Sequence, residues 1–372
     1  MKKSKLLIFF LSFLLISSIL VSYSILGKTP KVTLASACKS FAADTTKERG
    51  ALAECVKHYI NENVSKVGAI NLERDIIKSV KLVPQINYVC HPYAHAVGRQ
   101  ALIETKDIVK AVNESTSYCA WGYLHGMNVQ AGQMYSGQKL FDAMLLGCNE
   151  VKKLGGNPYE CAHGMGDSFD VKAEGNIYEA LSWCSKIKDE GIHLNCSQGA
   201  VNNYTDWYVV DIQKNHTQQL KASAKALLNG KPYSFCDPIT DTIDRSACFN
   251  YGSRMNNAYR GGLIGWSKYC NEYSGDDNAY CFQGLGREWV FVKTMSNEEA
   301  IKNCMTAKTE HGVEVCSEEY LNTITQIQRD RKGTVFNKVC KDQTFLTNPG
   351  FRTACKVTAT ALKSYFEGNF DL

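Results

Sequence analysis

Hydrophobic positions along the 372-residue chain follow two regimes. From Leu6 to Gly27 runs LLIFFLSFLLISSILVSYSILG, 22 uncharged residues behind a basic MKKSK, which suits a membrane-spanning helix or an export signal. Beyond it, apolar residues recur at helical spacing in short stretches that each end in cysteine: FDAMLLGC, YEALSWC, GWSKYC, EEAIKNC and FNKVC. A polar, turn-rich loop follows, closed by a second cysteine, and then comes another helical pattern, as in CAHGMGDSF, CSQGAVNNY, CFNYGSRMN, CFQGLGREWV and CSEEYLNTI. No sustained period-two alternation bounded by hairpin turns predicts strands. The chain therefore reads as all-α, built from a unit of helix A, Cys, loop, Cys, helix B.

The sixteen cysteines sharpen that unit. From Cys148 onward short gaps of 13, 12, 12, 11, 12 and 15 residues alternate with longer ones. Closing the short gaps predicts Cys148–Cys161, Cys184–Cys196, Cys236–Cys248, Cys270–Cys281, Cys304–Cys316 and Cys340–Cys355. Cys38 with Cys55 and Cys90 with Cys119 remain, and the latter departs from the unit because Cys90 opens a helix of the B type. The second cysteines Cys119, Cys161, Cys196, Cys248, Cys281, Cys316 and Cys355 are spaced by 42, 35, 52, 33, 35 and 39 residues, mostly the period of a stacked αα-hairpin solenoid, here of about six to eight stapled repeats. Gly122, Gly164, Gly199 and Gly284 stand three residues after a second cysteine, and Gly252 four after. Glycine weakens a helix interior by about 1 kcal/mol relative to alanine, so its recurrence predicts close approach of helix A to helix B beside each bridge.

Over roughly residues 119–355 this organisation resembles the secreted, cysteine-rich, tetratricopeptide-like repeat proteins of bacteria. The resemblance implies an αα solenoid that binds a ligand or a protein. The loops between paired cysteines are longer here, and no functional residue is carried over.

Composition adds location. With 44% hydrophobic and 21% charged residues the chain has apolar material for one large core or two ordinary ones, which excludes disorder. Three of the 42 basic residues, Lys2, Lys3 and Lys5, precede the apolar run and the rest nearly balance the 37 acidic ones, so nothing points to nucleic acid. An even cysteine count behind an export-type segment reads as a disulfide framework in an oxidising compartment, which excludes cytosolic enzyme classes. The run's length favours a retained anchor over residues 1–27, a linker over 28–40, an N-terminal helical cap over 41–89 and a bridged repeat domain over 90–372. Two alternatives stay open. Ala35-Ser36-Ala37 offers a cleavage site, eight residues past Gly27 and after Lys28 and Lys31, and a lipid on Cys38 would leave fifteen cysteines to pair.

Chemistry concentrates on helix B. Counting each second cysteine as zero, positions two and six share a face and hold Trp121 and His125, His163 and Asp167, Gln198 and Asn202, Asn250 and Arg254, Gln283 and Arg287, Glu318 and Asn322. A plain solvated face is usually rich in Lys and Glu; side chains this well suited to hydrogen bonding predict a groove for a protein, peptide or small-molecule ligand. Val357 and Ala361 take the same places at the C-terminal end, as in a capping repeat. Four histidines open successive B-type helices in CHPYAHAVG, WGYLHG and CAHGMGD: His91, His95, His125 and His163, with Asp167 four residues after the last. Imidazoles so placed predict a site for zinc, copper or iron, with Asp167 as fifth ligand or as orienter. No G-x-S-x-G, H-E-x-x-H, C-x-x-C-H or phosphate loop occurs, and no catalytic residue can be named. A binding module tethered to or secreted beyond the membrane is the leading expectation; a metal-dependent enzyme and a structural envelope protein are the alternatives.

Overall fold

The computed structural model describes residues 32–41, 46–211, 232–254, 266–290, 295–328 and 333–365. The expected anchor over 1–27 lies outside the described residues, and no described helix is long and apolar enough to cross a membrane. Within the described residues the chain is all-helical, with eighteen α-helices and short 3-10 turns. It divides into two compact units between Gly164 and Met165.

The first unit begins with α1 (Leu34–Cys38), in the stretch expected to be a linker. That stretch is docked: Leu34 and Cys38 are buried, the Leu34 N–H donates to Asp75 Oδ2 at 2.9 Å and the Ala35 N–H to Ser79 Oγ at 2.9 Å. Cys38 is bridged to Cys55, so its sulfur is not free to carry a lipid. Then come α2 (Thr46–Val67), α3 (Ala69–Leu82), α4 (His91–Thr105), α5 (Ile108–Asn113), α6 (Gly122–Met134), α7 (Gly137–Lys153) and the start of α8 (Pro158–Lys172). Asp107 caps α5 by accepting from the Val109 and Lys110 N–H groups, which fixes the entry of the chain after α4. Val97, Ala101, Leu124, Met127, Met144 and Cys148 are among the side chains that fill the core.

The second unit continues α8 and holds α9 (Ile177–Cys184), α10 (Glu190–Asp211), α11 (Thr242–Gly252), α12 (Ser267–Cys270), α13 (Gly275–Trp289), α14 (Asn297–Cys304), α15 (Glu310–Gln328), α16 (Thr334–Cys340), α17 (Gln343–Leu346) and α18 (Pro349–Tyr365). Ser296 and Glu299 close a capping box at the start of α14. Trp266, Trp289, Tyr233, Phe249 and Phe282 are fully buried around α11 to α13.

Eight disulfides connect the sixteen cysteines, and the six that close short gaps pair as their spacing predicts. Cys90 is bridged to Cys119 over 29 residues. With no free cysteine, the domain belongs to an oxidising, extracytoplasmic environment.

Three of the five glycines do something other than expected. Gly122, Gly164 and Gly284 bring one B-type helix against the next, whereas a Cβ on Gly252 would meet the Tyr233 and Phe235 rings in the stretch before Cys236, the contact expected within its own unit. A Cβ on Gly122 would overlap the His91 carbonyl, one on Gly284 the Asn250 carbonyl, and one on Gly286 the Cys316 carbonyl. The reason is geometric: the bridges already hold A to B at the loop, whereas consecutive B helices touch backbone to backbone and leave no space for a side chain.

Burial also sets a pH dependence. Glu73 is 3% exposed and accepts from Thr116 Oγ1 at 2.8 Å, and its desolvation lifts the carboxyl to about 7. A raised acid favours the protonated folded state, so its contribution is complete below the unfolded carboxylate range near 4.5 and is lost as pH rises through about 7. Glu73→Gln should therefore stabilise the protein by about 2 kcal/mol at pH 8 and have little effect at pH 4, as read from denaturant unfolding at the two pH values.

Candidate metal centre

His91 and His95 lie one turn apart on α4, whose first turn is started by Pro92 with its preset φ. His125 lies on α6. Two glycines one turn apart on α6 meet the two histidines on α4: Gly122 abuts the His91 carbonyl and Gly126 the His95 carbonyl, while Gly98 of α4 abuts the carbonyl of Tyr123. This contact sets the register of the two helices and places His125 beside the α4 pair.

The three rings meet edge to face, with centroids 5.0, 5.2 and 5.6 Å apart. One nitrogen of each ring lies within 4.8 Å of the other two. His91 Nε2 and His95 Nε2 are 3.3 Å apart. Two nitrogens bound to tetrahedral zinc at about 2.0–2.1 Å are separated by about 3.4 Å, so this pair already has the spacing of two ligands of one ion. The far side of the His91 ring is fixed as well. Its Nδ1 lies 3.0 Å from both the Cys119 and the Ala120 carbonyls, which can only accept, so Nδ1 carries the proton and Nε2 offers its lone pair.

Electrostatics favours the neutral rings that bind metal. Burial pushes the His95 imidazole down to about 3, helped by the nearby His91, His125 and Arg99. Burial, followed by the influence of His91, pushes His125 down to about 4 against the opposing effect of a hydrogen bond to the Glu160 backbone. At neutral pH both rings are uncharged and no proton has to be removed by an incoming cation.

His163 is outside this converging set. It stacks on His125 with centroids 5.5 Å apart. Asp167 is buried but belongs to the second unit. A residue outside the sequence-based expectations also lies beside the triad: Glu160 Oε2 is 4.0 Å from His125 Nε2, with its carboxyl raised by burial. Glu160 directly precedes Cys161, whereas helix positions were counted from two onward, so only a register that included the residue before the bridge would have found it.

In the second unit His193, Asp241 and Asp244 form another cluster outside the sequence-based expectations. There Asp244 Oδ1 accepts from His193 Nε2 at 2.8 Å and from Ser197 Oγ at 2.5 Å, and Oδ2 accepts from Ser185 Oγ at 2.8 Å. Asp241 Oδ1 caps the N–H groups of Ile243 and Asp244. With these oxygens engaged, the cluster is a tie between α10 and α11.

The expected groove residues split into two groups. Asn250, Gln283 and Arg287 bond to one another across α11 and α13: Asn250 Nδ2 donates to Gln283 Oε1 at 2.7 Å, and Arg287 Nη1 donates to Asn250 Oδ1 at 2.7 Å. Arg287 also lies over the Tyr251 ring, 4.0 Å from its centroid. Gln198, Asn202, Arg254, Glu318 and Asn322, and Trp121 in the first unit, are half-buried instead of fully solvated. Comparison with family models, with curated proteins and with solved structures finds no match to the chain.

Two outcomes follow from this geometry. Gly126→Ala should destabilise the protein by about 3 kcal/mol, because the new methyl meets the rigid His95 backbone, whereas Gly50→Ala, with open space around it, should stabilise it; thermal unfolding of the two variants reads the contrast. The second concerns acid. Unfolded histidines take up protons near pH 6.5 while folded His95 and His125 wait until about 3 and 4, so between those limits the unfolded state binds more protons and stability falls as pH falls. Amide exchange in α4 and α6 should accelerate from pH 6.5 to 4 beyond its intrinsic pH dependence, and less so in His125→Gln.

Proposed function

We propose that the protein is an extracytoplasmic helical-repeat binding protein whose binding centre is a transition-metal site formed by His91, His95 and His125. The observation that carries this is the 3.3 Å spacing of the His91 and His95 Nε2 atoms, with the far side of the His91 ring fixed by two backbone carbonyls and a third, buried imidazole beside them. All-imidazole ligation suits zinc first, and copper or iron among redox metals. His163, stacked on His125, and Glu160, 4.0 Å from His125 Nε2, are the candidates for a fourth position.

In this reading the stapled helices stack as an αα solenoid of six to eight units, tethered by the N-terminal apolar run or released from it. The half-buried polar positions Gln198, Asn202, Arg254, Glu318 and Asn322 then line a surface for a protein, peptide or small-molecule ligand, with Asn250, Gln283 and Arg287 as its fixed framework. A metal-dependent enzyme is a second reading, favoured by one feature: three protein ligands with a carboxylate nearby leave a position for water or substrate.

Protein made in an oxidising compartment should bind one zinc ion per chain by calorimetry, and elemental analysis of the purified protein should show the same stoichiometry. His95→Ala with His125→Ala should abolish uptake while the helices of the second unit keep their amide protection. Unchanged binding in that double variant contradicts the proposal. Turnover of an ester, amide or phosphoester panel that depends on the bound metal would decide for the enzyme.

A further inference from the structure

The first ligand of the triad is held by an unusual stretch of backbone. Cys119, Ala120 and Trp121 have φ of 56°, 46° and 63°, three successive side-chain-bearing residues in the left-handed region. Each such residue costs about 1–2 kcal/mol, and none of the three is a glycine, asparagine or aspartate that would lower the cost. What the turn accomplishes is visible at His91: it aims the Cys119 and Ala120 carbonyls together at Nδ1, at 3.0 Å each, and so directs Nε2 toward His95. Three attachments keep the turn in place. The Cys119 N–H donates to Asn87 Oδ1 at 2.7 Å, α6 begins at Gly122 against the His91 carbonyl, and Cys119 is bridged to Cys90, the residue directly before His91. This bridge spans 29 residues where the other seven span 11 to 17, and it joins the strained turn to the start of the helix that carries two ligands.

We propose that the Cys90–Cys119 disulfide is a redox latch for the metal centre, so that the histidines hold metal tightly only when these two thiols are oxidised. The proposal rests on the three-histidine reading above and adds its regulation. In the latching step the two thiols lose two electrons and two protons and form the S–S bond, while an oxidised dithiol, protein-borne or small, accepts both and leaves as two thiols. Without the bond the turn loses the covalent one of its three attachments, the two carbonyls move off Nδ1, and the His91 proton is no longer confined to that nitrogen. Cys90 and Cys119 are 0% and 1% exposed, so the latch is set during folding and a reductant does not reach it in the native protein. The chain thus holds metal weakly in a reducing cytosol and tightly once exported.

The test compares zinc affinity, by competition with a chromophoric chelator, in wild type, Cys90→Ala with Cys119→Ala, and Cys304→Ala with Cys316→Ala, alongside the ring ¹⁵N shifts that report the His91 tautomer. Loss of the first bridge should weaken zinc binding ten- to a hundredfold and convert His91 from a pure Nδ1–H tautomer to a mixture; loss of the second should change neither. If the first double variant lacks native helical circular dichroism, Asn87→Ala, which frees the same turn with every bridge intact, should weaken zinc severalfold and disturb the same tautomer, and wild-type values for both would overturn the proposal. A folded Cys90→Ala with Cys119→Ala protein that binds zinc as wild type does overturns the latch alone. Wild-type protein that takes up no zinc overturns the metal reading and the latch with it.

Discussion

The close contact between α4 and α6 is the constraint on which the site depends. Gly122 and Gly126 lie one turn apart on α6, and each abuts the carbonyl of a histidine one turn apart on α4. A sliding or tilting of either helix would drive a backbone into a backbone, so the register of three imidazoles follows from two missing side chains. Helix packing usually leaves axes 8–10 Å apart with side chains interdigitated between them. Here the side chains that would fill that space are absent, and the rings stand at the border of the contact with their edges toward one another.

From that contact a chain of consequences runs outward. Burial beside it drives His95 and His125 to their neutral forms. The strained turn from Cys119 to Trp121 opens α6 and supplies the carbonyls that settle the His91 proton. The disulfide that anchors this turn lies at the other end of the same few residues. Fold, protonation and covalent linkage thus converge on one histidine cluster.

The covalent framework was legible in the sequence because cysteine spacing is a nearly one-dimensional signal: short gaps can close without knowledge of the fold, and the loops between Cys148 and Cys355 did so. The histidines were legible as a group for the same reason, through motifs that repeat at the start of successive helices. Their exact partnership was not, because it depends on how far each helix slides along its neighbour. On α8, a Cβ on Gly164 would come within 3.0 Å of the His125 Cα, so α8 packs closely on α6 there, and His163 lands against the face of the His125 ring and not in the triad. Gly122, Gly164 and Gly284 meet a neighbouring B-type helix, while Gly252 meets its own unit, for a related reason: spacing within a unit reports which residues share a face, not which neighbour that face meets. Glu160 fell outside the face defined by positions two and six although it adjoins Cys161, and the Asp244 hub in the second unit depends on how α10 and α11 pack, which spacing does not report.

Zinc K-edge X-ray absorption on the zinc-loaded, fully oxidised protein tests the central claim most directly. A tetrahedral shell of nitrogen and oxygen at about 2.0–2.1 Å, with the outer-shell scattering of three imidazoles, is the predicted result. A sulfur shell at about 2.3 Å, or an all-oxygen shell without imidazole scattering, would contradict it.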